Sequence, residues 1–140
     1  MDFIARSIWQ INKNGLVYMA RRLKEFNIGS GQLPLLMLLY NNKDGLNQEE
    51  ITQLLNIDKG ATAKAVFKLL DEGYIERKDD PIDNRMHRIY LTKKANKNKD
   101  KLLKIAKEWQ EILLNEFQKN DKTHMLESLK KMKDNSMDYK

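Results

Sequence analysis

Residues 79 to 92 read Asp-Asp-Pro-Ile-Asp-Asn-Arg-Met-His-Arg-Ile-Tyr-Leu-Thr, crowding Asp79, Asp80, Asp83, Arg85 and Arg88 around one proline before an alternating apolar segment. A tight hairpin turn needs Gly or Asn and gains nothing from so much charge. The chemistry these residues suit is electrostatic. Asp83 and Arg85 are two apart, close enough for the carboxylate to hold the guanidinium extended. An extended arginine on a thin loop fits a narrow, strongly negative groove such as the minor groove of DNA. A second group lies just upstream. Helical spacing from Asp58 to Gly73 puts Thr62, Ala65, Val66, Leu69 and Leu70 on one face and Gly60, Ala63, Lys64, Phe67 and Lys68 on the other. The second face has small residues near the helix start, then a cation and a ring, so a partner's backbone could approach it closely.

Other chemistries have little material. The chain has no cysteine, which excludes disulfides, thiolate zinc sites, iron–sulfur ligation and thiol redox sensing. With His87 and His124 as its two imidazoles, no metal site is expected. Ser7, Ser30, Ser128 and Ser136 have no neighbouring His or Lys that would activate a nucleophile, and no glycine-rich phosphate loop is present, so neither catalysis nor a cofactor is expected. The 140 residues are 41% hydrophobic and 33% charged, which describes a single globular domain, or one with extensions, large enough for a real core. No apolar run is long enough for a membrane span and no secretory signal opens the chain, so a soluble, cytoplasmic protein is expected. A net charge of +6 and a pI near 9.4 favour an anionic partner. From Lys93 to Lys107 seven lysines face one acid, Asp100, and that segment is either a solvated helix face or a surface lying along phosphates.

The elements that must position these groups are mostly helical. Ile4, Ile8, Ile11, Leu23 and Phe26 recur at helical spacing and predict one long amphipathic helix from residue 2 to about 26. Ser30 can cap a second helix holding Pro34 in its first turn and the dense apolar run Leu35 to Tyr40, a core element. Residues 42 to 45 read as a turn. Asn47 with Glu50 forms a capping box, flanked by a staple of Leu46 and Ile51, so a short helix starts there and ends near Asn56. Asp58 caps the next helix and Gly73 stops it. Two short helices joined by about three residues and followed by a strand form a helix-turn-helix pattern. Tyr74 to Lys78 and Met86 to Thr92 are the strands of a hairpin, with the charged loop at its tip, where a wing would be. Thr92 caps a helix reaching about Phe117, a last helix holds Met125, Leu126, Leu129 and Met132, and the Met-Asp-Tyr-Lys end frays. The first and last two helices carry more apolar stripe than one small domain can cover. A second copy of the chain is the expected cover.

The segment Gln48 to Thr92 resembles the winged helix-turn-helix core of the MarR family of transcriptional regulators. Asp58, Lys59 and the small residues after them, the Leu-Leu-Asp-Glu-Gly-Tyr-Ile-Glu-Arg stretch, and Asp-x-Arg before a strand ending Leu91-Thr92 carry the resemblance. It implies a mainly α fold with a small β-hairpin wing, a winged domain over residues 29–92, and a helical dimerisation region over residues 1–28 and 93–140. It further implies a homodimer that binds a pseudo-palindromic operator in double-stranded DNA, most often as a repressor. Release by a small aromatic or phenolic acid, bound between the dimerisation helices and the winged domain, is implied as well. Carried onto this chain, the DNA-binding residues are Lys59, Gly60, Ala61, Ala63, Lys64, Lys68, Asp83, Arg85 and Arg88. The stretch Gly60 to Ala63 is unusually small, and Asn84 stands where a second arginine is frequent, which shifts operator recognition toward DNA shape and phosphate contacts. The other class of function is an architectural or protein-interaction module without an effector.

Overall fold

A computed structural model describes residues 3–42 and 44–139. The expected helix start at residue 2, one position of the 42–45 turn and the last residue of the frayed terminus lie outside them. Six α-helices and one hairpin follow in the order α1 (Ile4–Leu23), a 3₁₀ turn (Lys24–Phe26), α2 (Leu33–Asn41), α3 (Gln48–Leu55), α4 (Lys59–Asp71), β1 (Ile75–Asp79), β2 (His87–Leu91), α5 (Lys93–Leu113) and α6 (Lys119–Met137). The chain divides into two compact units, Met1–Ala106 and Lys107–Lys140.

The first unit holds the core. Leu35, Leu36 and Leu39 of α2 are buried with Ile51 of α3, Val66 and Leu69 of α4 and Ile89 of β2. Leu23 of α1 and Ala95, Leu102 and Ile105 of α5 belong to the same buried cluster. Two tyrosines stitch distant segments to it. The Tyr40 hydroxyl donates to the Ala95 carbonyl at 2.5 Å, and the Tyr74 hydroxyl donates to the Phe26 carbonyl at 2.7 Å. Burial, with a smaller contribution from Tyr74, pushes the Tyr40 hydroxyl up to about 12, so it stays a donor at any ordinary pH.

Several local expectations hold. The Asn47 side chain accepts from the Glu50 N–H while the Glu50 carboxylate accepts from the Asn47 N–H, closing the capping box. Asp58 accepts from the Ala61 N–H at 2.7 Å. Asn56 takes the left-handed conformation that ends α3, and Gly73, at φ +76°, ends α4 with its N–H on the Leu70 carbonyl. Thr92 caps α5, accepting from the Ala95 N–H at 3.3 Å.

Three expectations are corrected. The first helix stops at Leu23 and tightens into the 3₁₀ turn, because Asn27 at φ 57° turns the chain left-handed. Ser30 does not cap α2. The N-cap is Gln32, whose side chain turns back to accept from the Gly29 N–H at 2.7 Å. The fifth helix ends at Leu113 rather than near Phe117, and Glu116 in the left-handed region (φ 70°) separates it from α6. In the second unit, Ile112, Leu126, Leu129 and Met137 are exposed.

Candidate nucleic-acid interface

The helix-turn-helix is built from α3 and α4, which pack on each other. Thr62, Ala65, Val66 and Leu69 are buried and Leu70 half-buried, whereas Gly60, Ala63, Lys64 and Phe67 are exposed. The joint is polar at one point: the hydroxyls of Thr52 and Thr62 lie 2.8 Å apart, and the Thr52 hydroxyl is also 2.8 Å from the Gln48 carbonyl. The Thr62 hydroxyl is also 3.3 Å from the Asp58 carbonyl, so two protons serve four oxygens where the helices meet. Lys59 and Lys64 are exposed, Ala61 is half-buried, and Lys68 pairs with Glu72 at 3.2 Å one turn on. A Cβ added at Gly60 would meet only the Asp58 carboxylate, at 3.3 Å, so the outer face is open there.

The hairpin pairs antiparallel from Ile75 opposite Leu91 to Asp79 opposite His87. It is widened at the middle of β2 by residues before α3: the Gly45 N–H donates to the Ile89 carbonyl and the Ile89 N–H to the Leu46 carbonyl, both at 2.9 Å. Gly45 is required to be small and left-handed, since at φ +97° a Cβ would fall 3.1 Å from the Tyr90 hydroxyl oxygen.

Beyond the strands the loop is organised around Asp80, which in sequence is only one charge among five. One oxygen of its carboxylate accepts from the backbone N–H groups of Ile82 (2.8 Å) and Asp83 (3.0 Å), and the other accepts from Arg88 Nε at 2.6 Å. The two backbone donors, then the guanidinium, hold the Asp80 carboxyl down at about 2. Arg88 also donates through Nη1 to the Gly45 carbonyl at 2.7 Å and lies 3.9 Å from Glu50. It thus ties the loop end of the hairpin strands to the start of α3. The signal for this pair is the hairpin register, which sets Lys78 opposite Arg88 and so brings Asp80, two residues on, diagonally across from it.

Asp83 and Arg85 meet as their spacing predicts. The Arg85 Nε–H donates to the Asp83 carboxylate at 3.2 Å, and the Arg85 backbone N–H donates to the same oxygen at 3.1 Å. The arginine side chain is nonetheless 89% exposed, so it is braced on one side and open on the other. The structure therefore sets Lys59, Gly60, Ala63 and Lys64 on the outer face of α4 and braces Arg85 at the hairpin tip. Arg88 it engages with Asp80 and Gly45 at the loop end of the strands.

Residues 28–87 match the family model described as MarR family. A regulator from Methanosarcina mazei Go1, described as a MarR transcriptional regulator, is 40% identical with a TM-score of 0.90, each chain covered in full. The chain belongs to the MarR family. A curated relative, the HTH-type transcriptional regulator BilQ of Clostridium symbiosum, is 31% identical over 96 residues, 69% of this chain and 67% of that protein. The fold is shared with MepR of S. aureus, solved as a complex with DNA, at 22% identity and a TM-score of 0.88 over 96% of this chain and 99% of that one. This MarR-family member is a mainly helical winged helix-turn-helix transcriptional regulator, not an enzyme. No helix among the described residues is long and apolar enough to cross a membrane.

Proposed function

We propose that the chain is a cytoplasmic homodimeric repressor that binds a pseudo-palindromic operator, with α4 in the major groove and Arg85 in the adjacent minor groove. The observation that carries this reading is Arg85, almost fully exposed yet braced by Asp83 at 3.2 Å. A solvated surface arginine has no use for such bracing, whereas a minor-groove reader must hold its charge extended before DNA arrives, when ordering a long side chain would otherwise cost entropy. Asp83 positions the guanidinium. Lys59, Lys64 and Lys68 supply charge for phosphates flanking the groove, and Gly60, Ala61 and Ala63 let the helix approach the base edges. Residues 29–92 serve as the DNA-binding domain, and residues 1–28 and 93–140 as the dimerisation region. Release by a small aromatic or phenolic acid completes the reading and rests on kinship alone.

Binding to duplexes from the chain's own upstream region, compared with scrambled duplexes across a salt series, tests the proposal. The parent protein is expected to prefer one upstream duplex, with affinity falling steeply as salt rises. Arg85→Ala is expected to weaken that complex on the order of tenfold or more and to flatten its preference for A·T-rich flanks, with the fold intact. Equal affinity of parent and variant at every salt concentration would show the hairpin to be an ordinary solvated loop.

A further inference from the structure

The outer face of α4 ends in an aromatic ring that the assignment above leaves unused. Phe67 is 72% exposed, while Ala65, Val66 and Leu69 of the same helix are buried. Gly60, Ala63, Lys64 and Phe67 fall at positions i, i+3, i+4 and i+7, one stripe roughly 10 Å long on a single side of the helix. Of these four, Gly60 offers no side chain and Ala63 only a methyl, so Lys64 is the one hydrogen-bond donor among them. Direct readout of base edges needs bidentate donors or apolar contacts, and this stripe is poor in the first.

The ring's neighbours decide what it can meet. Lys64 precedes it by one turn and Lys68 follows it directly. A second copy of the same face would set lysine against lysine, whereas duplex DNA brings phosphates to the lysines. The major groove also carries one apolar group, the 5-methyl of thymine. We propose that Phe67 reads thymine through that methyl group, making it the main sequence-selecting side chain of an otherwise bare recognition helix. This rests on the reading of α4 as the major-groove helix.

The test begins by selecting duplexes from a randomised pool with the full-length protein. Each thymine of the enriched sequence is then replaced singly by deoxyuridine, which pairs identically but lacks the methyl. At one or more positions the replacement is expected to weaken the parent protein about three- to fivefold, the worth of one buried methyl. Phe67→Ala should be insensitive at the same positions, and Phe67→Leu should keep part of the sensitivity. The dependence of affinity on salt should have the same slope for parent and Phe67→Ala, because no phosphate contact is lost. Both variants alter an exposed side chain, and unchanged melting temperatures would exclude misfolding as the cause. Selective enrichment with no thymine at which parent and Phe67→Ala differ overturns the role of Phe67 and leaves the DNA interface standing. Failure to enrich any sequence overturns the interface itself, and the role of Phe67 with it.

Discussion

Asp80 accepts three hydrogen bonds within a loop that has no helix or sheet to shape it, and this gives the wing a dependence on acid. Above about pH 5 its carboxyl is ionised in both the folded and unfolded chain and its contribution is fully present. As pH falls below the ordinary value of 3.8, the unfolded chain binds a proton that the folded chain resists until about 2, so stability is lost across that interval. The protection of the Ile82 and Asp83 amides against exchange, taken relative to their intrinsic rates at each pH, is expected to fall between about pH 4 and pH 2, and Asp80→Asn should remove most of that pH dependence. Exchange equally steep in the variant would assign the acid sensitivity to another group. The contrast between the two arginines shows what sequence could and could not reveal here. Asp83 and Arg85 pair within one turn of chain, so spacing alone predicts them. Arg88 is eight residues from Asp80 and 43 from Gly45, and its partners follow only from the strand register and from the residues before α3 joining the hairpin.

At the scale of elements, legibility followed the range of the forces involved. The starts of α3 and α4 and the stop at Gly73 were readable because caps act within three or four residues. Ser30 misled because a capping side chain one residue from a glycine pair competes with a longer one, and Gln32 closes its own ring on the Gly29 N–H instead. The end of α5 was hidden because apolar spacing continues past Leu113 to Phe117 while the backbone does not, Glu116 turning left-handed between them. The polar contact between α3 and α4 was hidden for a different reason. A pair of threonine hydroxyls joins the two helices, and Thr62 in sequence looks like one more small residue on an inner face. Thr62→Val keeps the shape and removes one oxygen from the shared set, so it is expected to cost about 1 kcal/mol, read as a lower denaturant midpoint at unchanged slope. The partner change Thr52→Val should couple to it in a double-mutant cycle, since the two hydroxyls are in contact. Additive losses would mean that packing of the helices, and not this hydrogen bond, fixes their meeting.

The whole molecule leaves apolar surface that its own core does not use. On α1, Ile4, Ile8 and Ile11 lie along one side at helical spacing, and all three are exposed, as are Leu16 and Val17. On α6 no residue is buried, and Leu126, Leu129 and Met137 are exposed. Exposed apolar stripes of this kind on an isolated chain are a hazard for aggregation, while a two-fold related copy would present the same stripes and cover them. A dimer also matches the proposed operator, because a protein two-fold reads two half-sites of opposite sense and its geometry fixes their spacing. Sedimentation of the free protein at micromolar concentration is therefore expected to give a dimer without DNA. Replacing Ile8 and Ile11 together by glutamate would place two carboxylates in the covered face, at a cost of about 3 kcal/mol or more, and is expected to raise the dissociation constant at least a hundredfold. Because both side chains are exposed in the single chain, the variant should keep its helical circular dichroism while sedimenting as a monomer. It should also lose cooperative binding to the full operator while retaining weak binding to a half-site. A parent protein that sediments as a stable monomer, or a variant that remains a dimer of parental affinity, would move the assembly surface away from α1.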